Sequence, residues 1–160
     1  MEPIHDISYF LQGEEAMRDF GRYLAAAIAP DDILCFIGDL GAGKTTLIQG
    51  LAQGMGIMED VSSATFSLMN IYRGPLDLYH FDAYRMEDPR DFYAIGGEEV
   101  LSQGGVSAIE WAGRVLDFLP EDYLLCTIHY EGAGRKLEFS AVGERGAELL
   151  AHVAKYEGER

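Results

Sequence analysis

Cysteine is scarce in this sequence of 160 residues, which contains only Cys35 and Cys126. Both lie in segments whose apolar pattern predicts buried strands. A free thiol is the ordinary state of an isolated cysteine in such a position, so we expect two buried thiols and no disulfide. Reduced cysteines in turn indicate a cytoplasmic location.

Positive charge is also in short supply. The chain has 12 Lys and Arg residues against 27 Asp and Glu residues, which gives a net charge of −15. A protein that grips a nucleic-acid backbone unaided needs a Lys/Arg surface, so we expect no autonomous nucleic-acid binding. An acidic surface permits docking onto a basic partner protein, although solubility accounts for charge of this kind without any partner.

Long hydrophobic runs are missing as well. No apolar run approaches the roughly 20 residues of a membrane span, and the N-terminal sequence MEPIHD lacks the apolar core of a secretory signal. Hydrophobic residues nevertheless make up 48% of the chain, which is enough for a core. Without repeats or low-complexity tracts, residues 1–160 are predicted to form a single domain.

The sequence GDLGAGKT at 38–45 is its most specific feature, because it matches the phosphate-binding pattern Gly-x-x-x-x-Gly-Lys-Ser/Thr. Glycines let successive backbone N–H groups turn inward around an anion. Lys44 is expected to reach the β- and γ-phosphates, and the Thr45 hydroxyl is expected to ligate Mg²⁺. An apolar strand at 33–37 precedes the loop and a helical pattern follows it, which is the context this motif requires.

Other segments predict the elements around this loop. Apolar spacing, glycines and turn residues predict four helices: at 14–29, from the end of the phosphate loop to Gly54 and Gly56, at 89–102 with an interruption at 96–97, and at 144–155. The same signals predict strands at 67–72, 76–82, 106–110, 123–130 and 135–141. The predicted fold class is α/β, a three-layer P-loop NTPase-like domain. Its central sheet should be mixed and mainly parallel, with a C-terminal β-hairpin.

Two predicted strands end in carboxylates, Asp82 and Glu110. Because nucleotides bind at the carboxyl ends of parallel strands, either acid could hold Mg²⁺ or orient water. From position alone, each could equally be a solvated strand end or a cap.

Four further side chains are candidates whose position leaves alternatives open. His80 shares a strand face with Asp82 and could be catalytic or simply packed. Arg85 could contact phosphate or form a local salt bridge, and Thr65 could sense the γ-phosphate or be an ordinary turn threonine. Trp111 is predicted to be a core residue or a wall of the cleft, where its fluorescence would report nucleotide.

Four segments, taken together, resemble one family. They are GDLGAGKTT at 38–46, SATF at 63–66, HFDAYR at 80–85 and IEW at 109–111. Their order and spacing resemble the TsaE family, the small ATPases of bacterial tRNA threonylcarbamoyladenosine synthesis, over nearly the whole chain. The family usually has a proline where this chain has Ala64, so we expect a less rigid loop here. Its first helix often carries a threonine where this chain has Met17.

The resemblance implies a weak ATPase that acts with the TsaB–TsaD protein pair. That pair transfers a threonylcarbamoyl group from its adenylate to an adenosine of tRNA, and ATP hydrolysis resets the assembly. Mg²⁺ is the implied cofactor and ATP is the implied substrate. The protein is expected to contact tRNA only indirectly, through the complex. The implied roles are catalysis for Lys44, Asp82, Glu110 and Thr65, metal binding for Thr45, Glu110 and Asp82, and nucleotide binding for Asp39, Leu40, Gly41, Ala42, Gly43, Lys44, Thr45, Thr46 and Arg135.

Two other classes of function fit a phosphate loop in a chain of this size. A small-molecule kinase is one, but such enzymes bring arginines from a mobile lid onto the transferred phosphate. The arginines Arg85, Arg90 and Arg114 are scattered and form no evident lid. A nucleotide-dependent binding module without turnover is the other.

Overall fold

The computed structural model describes residues 7–38, 44–61 and 68–157. Within them the strands are β1 (Ile7–Leu11), β2 (Ile33–Gly38), β3 (Met69–Tyr72), β4 (Leu78–Asp82), β5 (Val106–Glu110), β6 (Tyr123–Glu131) and β7 (Gly134–Val142). The α-helices there are α1 (Glu14–Ala25), α2 (Lys44–Gly54), α3 (Asp91–Ala94), α4 (Gly97–Val100) and α5 (Gly143–Val153). Short 3-10 helices cover Ala83–Arg85, Ala112–Arg114 and Leu116–Phe118. Among the described helices, none has the length and apolarity needed to cross a membrane.

These strands form one sheet in the order β1-β7-β6-β2-β5-β4-β3. The four central strands β6, β2, β5 and β4 run parallel to one another. Antiparallel pairing adds β7 and β1 at one edge and β3 at the other. The predicted mixed sheet and C-terminal hairpin are therefore confirmed.

Helices and turns cover both faces of this sheet. On the first face, the buried cluster joins strand residues to α1, α2 and α5, for example through Phe20, Leu47 and Leu149. On the second face, the cluster includes Phe92 and Val115 from the short helices and the turns that follow β4 and β5. This arrangement confirms the three predicted layers and explains the continuous apolar run of β2, which is buried from both sides.

The two cysteines are fully buried and free. Cys35 pairs in register with Leu125, the neighbour of Cys126, so the two thiols belong to opposite faces of the sheet. Burial raises the pKa of both thiols well above its usual range. The prediction of two free thiols is confirmed, and the geometry shows why they do not pair.

Several predicted boundaries differ from the structure for local reasons. Helix α1 ends at Ala25 because the chain turns over the Asp32 carboxylate, which accepts a hydrogen bond from the Ala29 amide at 2.7 Å. Strand β4 begins at Leu78, since Asp77 instead accepts hydrogen bonds from the turn before it. The interruption predicted at 96–97 in the helix at 89–102 is confirmed: two short helices are divided at Gly96, whose φ is +81°. Strand β1 was not predicted.

Helices α1 and α2 cross at very short range. A Cβ atom on Gly21 would lie 2.2 Å from the Leu47 carbonyl oxygen, and one on Gly50 would lie 2.1 Å from the Arg18 carbonyl oxygen. Because only glycine permits this approach, Gly21 and Gly50 determine how closely α1 packs against α2.

Candidate functional site

The predicted phosphate loop at 38–45 connects β2 to α2 at the carboxyl edge of the parallel strands. Strand β2 ends at Gly38, where the loop begins, and α2 starts at Lys44, where it finishes. The loop residues Asp39, Leu40, Gly41, Ala42 and Gly43 fall outside the described residues, as do Ala64 and Thr65. The start of α2 directs its first N–H groups and positive dipole end to this edge, which suits an anion.

Lys44 is 5% exposed and is held by contacts at the end of β2 and after β5. Its Nζ donates a hydrogen bond to the Gly38 carbonyl oxygen at 3.0 Å and lies 4.6 Å from the centroid of the Trp111 ring. The ammonium group is therefore positioned at the end of β2 by a carbonyl dipole and an aromatic face.

Trp111 has a left-handed backbone conformation, with φ at 59° and ψ at 37°. Such a conformation costs a non-glycine residue about 1–2 kcal/mol, and it turns the chain sharply after Glu110. The indole packs on Tyr84 with ring centroids 4.7 Å apart. Trp111 therefore forms a wall beside Lys44, one of its two predicted placements.

Glu110 lies next to the helix start. The Thr45 hydroxyl donates to its Oε1 at 3.4 Å, which joins the first turn of α2 to the end of β5. Period-two alternation explains this, because Val106 and Ala108 of the same strand face the cluster that contains α2. Glu110 is only 7% exposed, so its carboxylate is largely shielded from solvent.

Asp82 occupies the matching position on the neighbouring strand, paired in register with Glu110. Its carboxylate accepts hydrogen bonds from the Tyr84 amide at 3.1 Å and from Arg85 Nε at 3.0 Å. Asp82 is thus both a cap for the following 3-10 helix and the partner of Arg85 in a salt bridge. Of the two predicted roles for Arg85, the structure contains the local salt bridge.

His80 is fully buried two residues before Asp82, on the same face of β4. Its Nε2 lies 2.5 Å from Oε2 of Glu110, the carboxylate oxygen that does not face Thr45. Sequence reasoning placed His80 beside Asp82 but missed this contact, which depends on how β4 and β5 pair.

Thr46 and Arg135 are at the same edge of the sheet. Thr46 is half-buried in the first turn of α2. Arg135 is the second residue of β7 and pairs with Tyr130, which lies two residues beyond the Ile128 that pairs with Gly38. Its guanidinium lies 4.2 Å from the centroid of the Tyr130 ring. The structure thus puts Arg135 on the carboxyl edge of the parallel strands, two strands from β2.

The oxygen donors at this edge match the preferences of Mg²⁺. Among the described residues, no group of three or more His, Cys, Asp and Glu side chains could form a complete metal cage. Mg²⁺ does not require one, since it usually takes one or two carboxylates and completes its shell with water and phosphate oxygens. Glu110 and the Thr45 hydroxyl are such a partial set, with Asp82 in the adjacent register position.

Two of the arginines considered for a kinase lid, Arg90 and Arg114, form hydrogen bonds within the protein. Arg90 pairs with Asp88 at 2.7 Å, and this pairing lowers the pKa of Asp88 to about 2. Arg114 donates to the carbonyl oxygens of Ala83, Tyr84 and Met86, which ties the turn after β5 to the turn after β4. Arg114 thus holds together the two turns that follow β4 and β5. This role depends on the tertiary fold and was not predicted from the sequence.

Comparison with known proteins gives the family. A family model described as "Threonylcarbamoyl adenosine biosynthesis protein TsaE" matches residues 11–137. The chain belongs to the TsaE family. The match begins before α1 and ends within β7, so it includes every described residue of the candidate site from Lys44 to Arg135.

Individual TsaE proteins are similar over most of their length. The tRNA threonylcarbamoyladenosine biosynthesis protein TsaE of Bacillus subtilis is 38% identical over 145 residues, which is 89% of this chain and 90% of that protein. The Haemophilus influenzae protein of the same name is 31% identical over 155 residues, 92% of this chain and 98% of that protein. The crystal structure of Bacillus subtilis YdiB has a TM-score of 0.76 at 31% identity and covers 94% of this chain and 95% of its own.

Met17, one of the two departures from the TsaE pattern, is a core residue here. Its side chain is 3% exposed and packs in the cluster on the α2 face of the sheet. A buried thioether offers a nucleotide no hydrogen-bond donor comparable to a hydroxyl. In the structure, α1 therefore acts at this position through packing.

Proposed function

We propose that this protein is a Mg²⁺-dependent ATPase that serves tRNA threonylcarbamoyladenosine synthesis together with the TsaB–TsaD complex. The observation that carries the proposal is the contact between Thr45 and Glu110 at 3.4 Å. It joins a hydroxyl at the end of the predicted phosphate loop to a shielded carboxylate at the end of the next parallel strand. P-loop enzymes use such a pair to hold Mg²⁺ and a nucleoside triphosphate.

In this proposal each side chain has a distinct task. Lys44 neutralises charge on the β- and γ-phosphates, while Thr45, Glu110 and Asp82 hold Mg²⁺ directly or through water. The metal supplies positive charge beside the phosphates. Hydrolysis joins a water oxygen to the γ-phosphorus, breaks the bond from that phosphorus to the bridging oxygen, and releases ADP, phosphate and a proton. Thr65 is assigned the switch-like role next to the γ-phosphate.

We assign further contacts with the nucleotide to the loop and to Arg135. Residues 39–43 with Thr46 supply backbone and hydroxyl donors at the start of α2, where the helix dipole favours an anion. Arg135 lies on the same edge and carries the charge suited to a phosphate or a ring face.

The proposed partners are proteins rather than nucleic acid. A net charge of −15 disfavours direct binding of tRNA, so in this proposal the protein contacts tRNA only through TsaB–TsaD. Acidic charge favours docking on a basic protein surface. The proposed location is the cytoplasm, where the two buried thiols stay reduced.

The test is ATP hydrolysis by the purified protein, alone and with TsaB–TsaD. We expect slow hydrolysis alone, faster hydrolysis with the pair, and loss of both with Lys44→Ala. Equal rates with and without the pair would contradict the coupling. A phosphorylated acceptor in a metabolite screen would point to a kinase, and tRNA modification supported by an intact Lys44→Ala variant would point to a binding module.

A further inference from the structure

The partners of the Glu110 carboxylate show that it is held from two sides. Its Oε1 is 3.4 Å from the Thr45 hydroxyl, and its Oε2 is 2.5 Å from Nε2 of His80. A carboxylate with only one oxygen restrained could rotate about its last torsion. The second contact removes that freedom and keeps Oε1 directed at Thr45.

His80 is well fixed for this purpose. It is fully buried in the middle of β4, pairs in register with Ala108 of β5 and Asn70 of β3, and lies with its ring centroid 6.4 Å from that of Tyr72. Strands on both sides therefore set the position of its backbone, and complete burial limits the rotation of its ring.

Hydrogen-bonding capacity assigns the proton of the imidazole. Among the described residues, Nδ1 of His80 has no hydrogen-bond partner, while Nε2 faces an oxygen of Glu110. A ring with its proton on Nε2 donates to the carboxylate and leaves only an acceptor unpaired. The other tautomer would set two lone pairs against each other, so the Nε2–H form is the one that this site stabilises.

We propose that His80 is a positioning residue, which donates from Nε2 to Glu110 and so aims the carboxylate at the Mg²⁺ that Thr45 also binds. The role is the one that outer hydrogen-bond partners commonly have toward metal-binding carboxylates. It rests on the proposed function, since it assumes that Glu110 binds the metal. The two carboxylate oxygens of Asp82 are held differently, by the amide of Tyr84 and the guanidinium of Arg85 from its own turn.

Three substitutions separate positioning from packing. His80→Gln keeps an N–H donor near the place of Nε2, His80→Asn keeps a donor only near the place of Nδ1, and His80→Leu keeps apolar volume without a donor. His129→Gln is a matched control, since His129 also faces a glutamate, Glu138 at 3.3 Å, but on the half-exposed surface of the β6–β7 hairpin.

The measurements are Mn²⁺ affinity in the presence of ADP, by electron paramagnetic resonance of free Mn²⁺, ADP affinity in EDTA, and thermal unfolding. We expect His80→Leu and His80→Asn to weaken Mn²⁺ binding by ~10–100-fold and to leave ADP affinity in EDTA unchanged. His80→Gln should recover most of the Mn²⁺ affinity, and the control should match the wild type. The comparison of Gln with Asn is sufficient even if the leucine variant does not fold.

Two results would overturn the proposal. One is wild-type Mn²⁺ affinity in both His80→Asn and His80→Leu. The other is an equal loss in all three variants that tracks their thermal stability, which would mean that His80 only packs. A different failure belongs to the proposed function itself: if the wild-type protein binds ADP no more tightly with Mn²⁺ than in EDTA, this edge of the sheet is not a metal–nucleotide site.

Discussion

Asp82 and Glu110 occupy the same register position on adjacent parallel strands, yet their carboxylates have different partners. Glu110 contacts Thr45 and His80, whereas Asp82 caps its own turn and binds Arg85. Two acids that look equivalent along the sequence are therefore distinguished by what surrounds them.

This distinction predicts different effects for the two amide variants. Glu110→Gln should lower ATP hydrolysis more strongly than Asp82→Asn and should raise the Mg²⁺ concentration needed for half-maximal rate. Metal stabilisation of a transition state is worth several kcal/mol, which corresponds to a loss of ~10²-fold or more. ADP affinity in EDTA should change little in either variant. Equal losses of nucleotide affinity, measured by titration calorimetry, would contradict metal-related roles for these acids.

Trp111 provides an optical test of the phosphate site, because it is the only tryptophan in the chain. Lys44 Nζ lies 4.6 Å from its ring centroid, so a nucleotide that draws the ammonium toward its phosphates should change the fluorescence. Lys44→Ala should weaken ATP binding by ~10–100-fold, the value of a hydrogen bond to a charged group. Fluorescence titration measures both effects. Arg90→Ala is the control, since that side chain pairs with Asp88 at an exposed turn.

The close crossing of α1 and α2 predicts a large effect of a single methyl group. Gly50→Ala would place a Cβ 2.1 Å from the Arg18 carbonyl oxygen, so one helix must move. Overpacking of this kind costs about 1–3 kcal/mol of unfolding free energy, more than the ~1 kcal/mol that alanine gains over glycine in a helix. Urea denaturation measures the difference. Gln53→Ala, at an exposed position of the same helix, should change stability by no more than ~0.5 kcal/mol.

A buried ion pair at the opposite edge of the sheet should matter for stability alone. Arg145 binds Asp32 with two contacts of 2.8 Å, and the Asp32 side chain is 2% exposed. Asp32 in turn raises the pKa of Arg145. Arg145→Met would leave the carboxylate without its cation, at a cost of about 3 kcal/mol, the lower end for a buried pair because Arg145 is partly exposed.

Calorimetric or chemical unfolding of Arg145→Met, with ATP hydrolysis measured at a temperature where the variant is folded, checks that prediction. Arg90→Met removes an exposed salt bridge and should leave stability nearly unchanged. A hydrolysis defect in folded Arg145→Met would show that the ion pair influences the nucleotide edge after all.

Local patterns predicted elements well where one pattern governs a whole segment. The apolar run of β2 and the alternating hairpin β6–β7 match the structure closely. Strand β1 was missed because its five residues pair only with β7, more than a hundred positions later in the chain. The interruption predicted at 96–97 in the helix at 89–102 is confirmed, because Gly96 has a left-handed backbone that divides the segment into two short helices.

The sequence by itself was enough to predict the phosphate loop, the two acids at strand ends, the free thiols and the resemblance to the TsaE family. Each of these depends on consecutive residues or on a short periodic pattern of apolar residues. Tertiary structure alone decided that Glu110, rather than Asp82, meets Thr45, that His80 holds its other oxygen, and that Lys44 lies beside Trp111. The physical reason is strand order and register. These fix contacts between residues 30 and 65 positions apart, and neither can be read from periodicity within one strand.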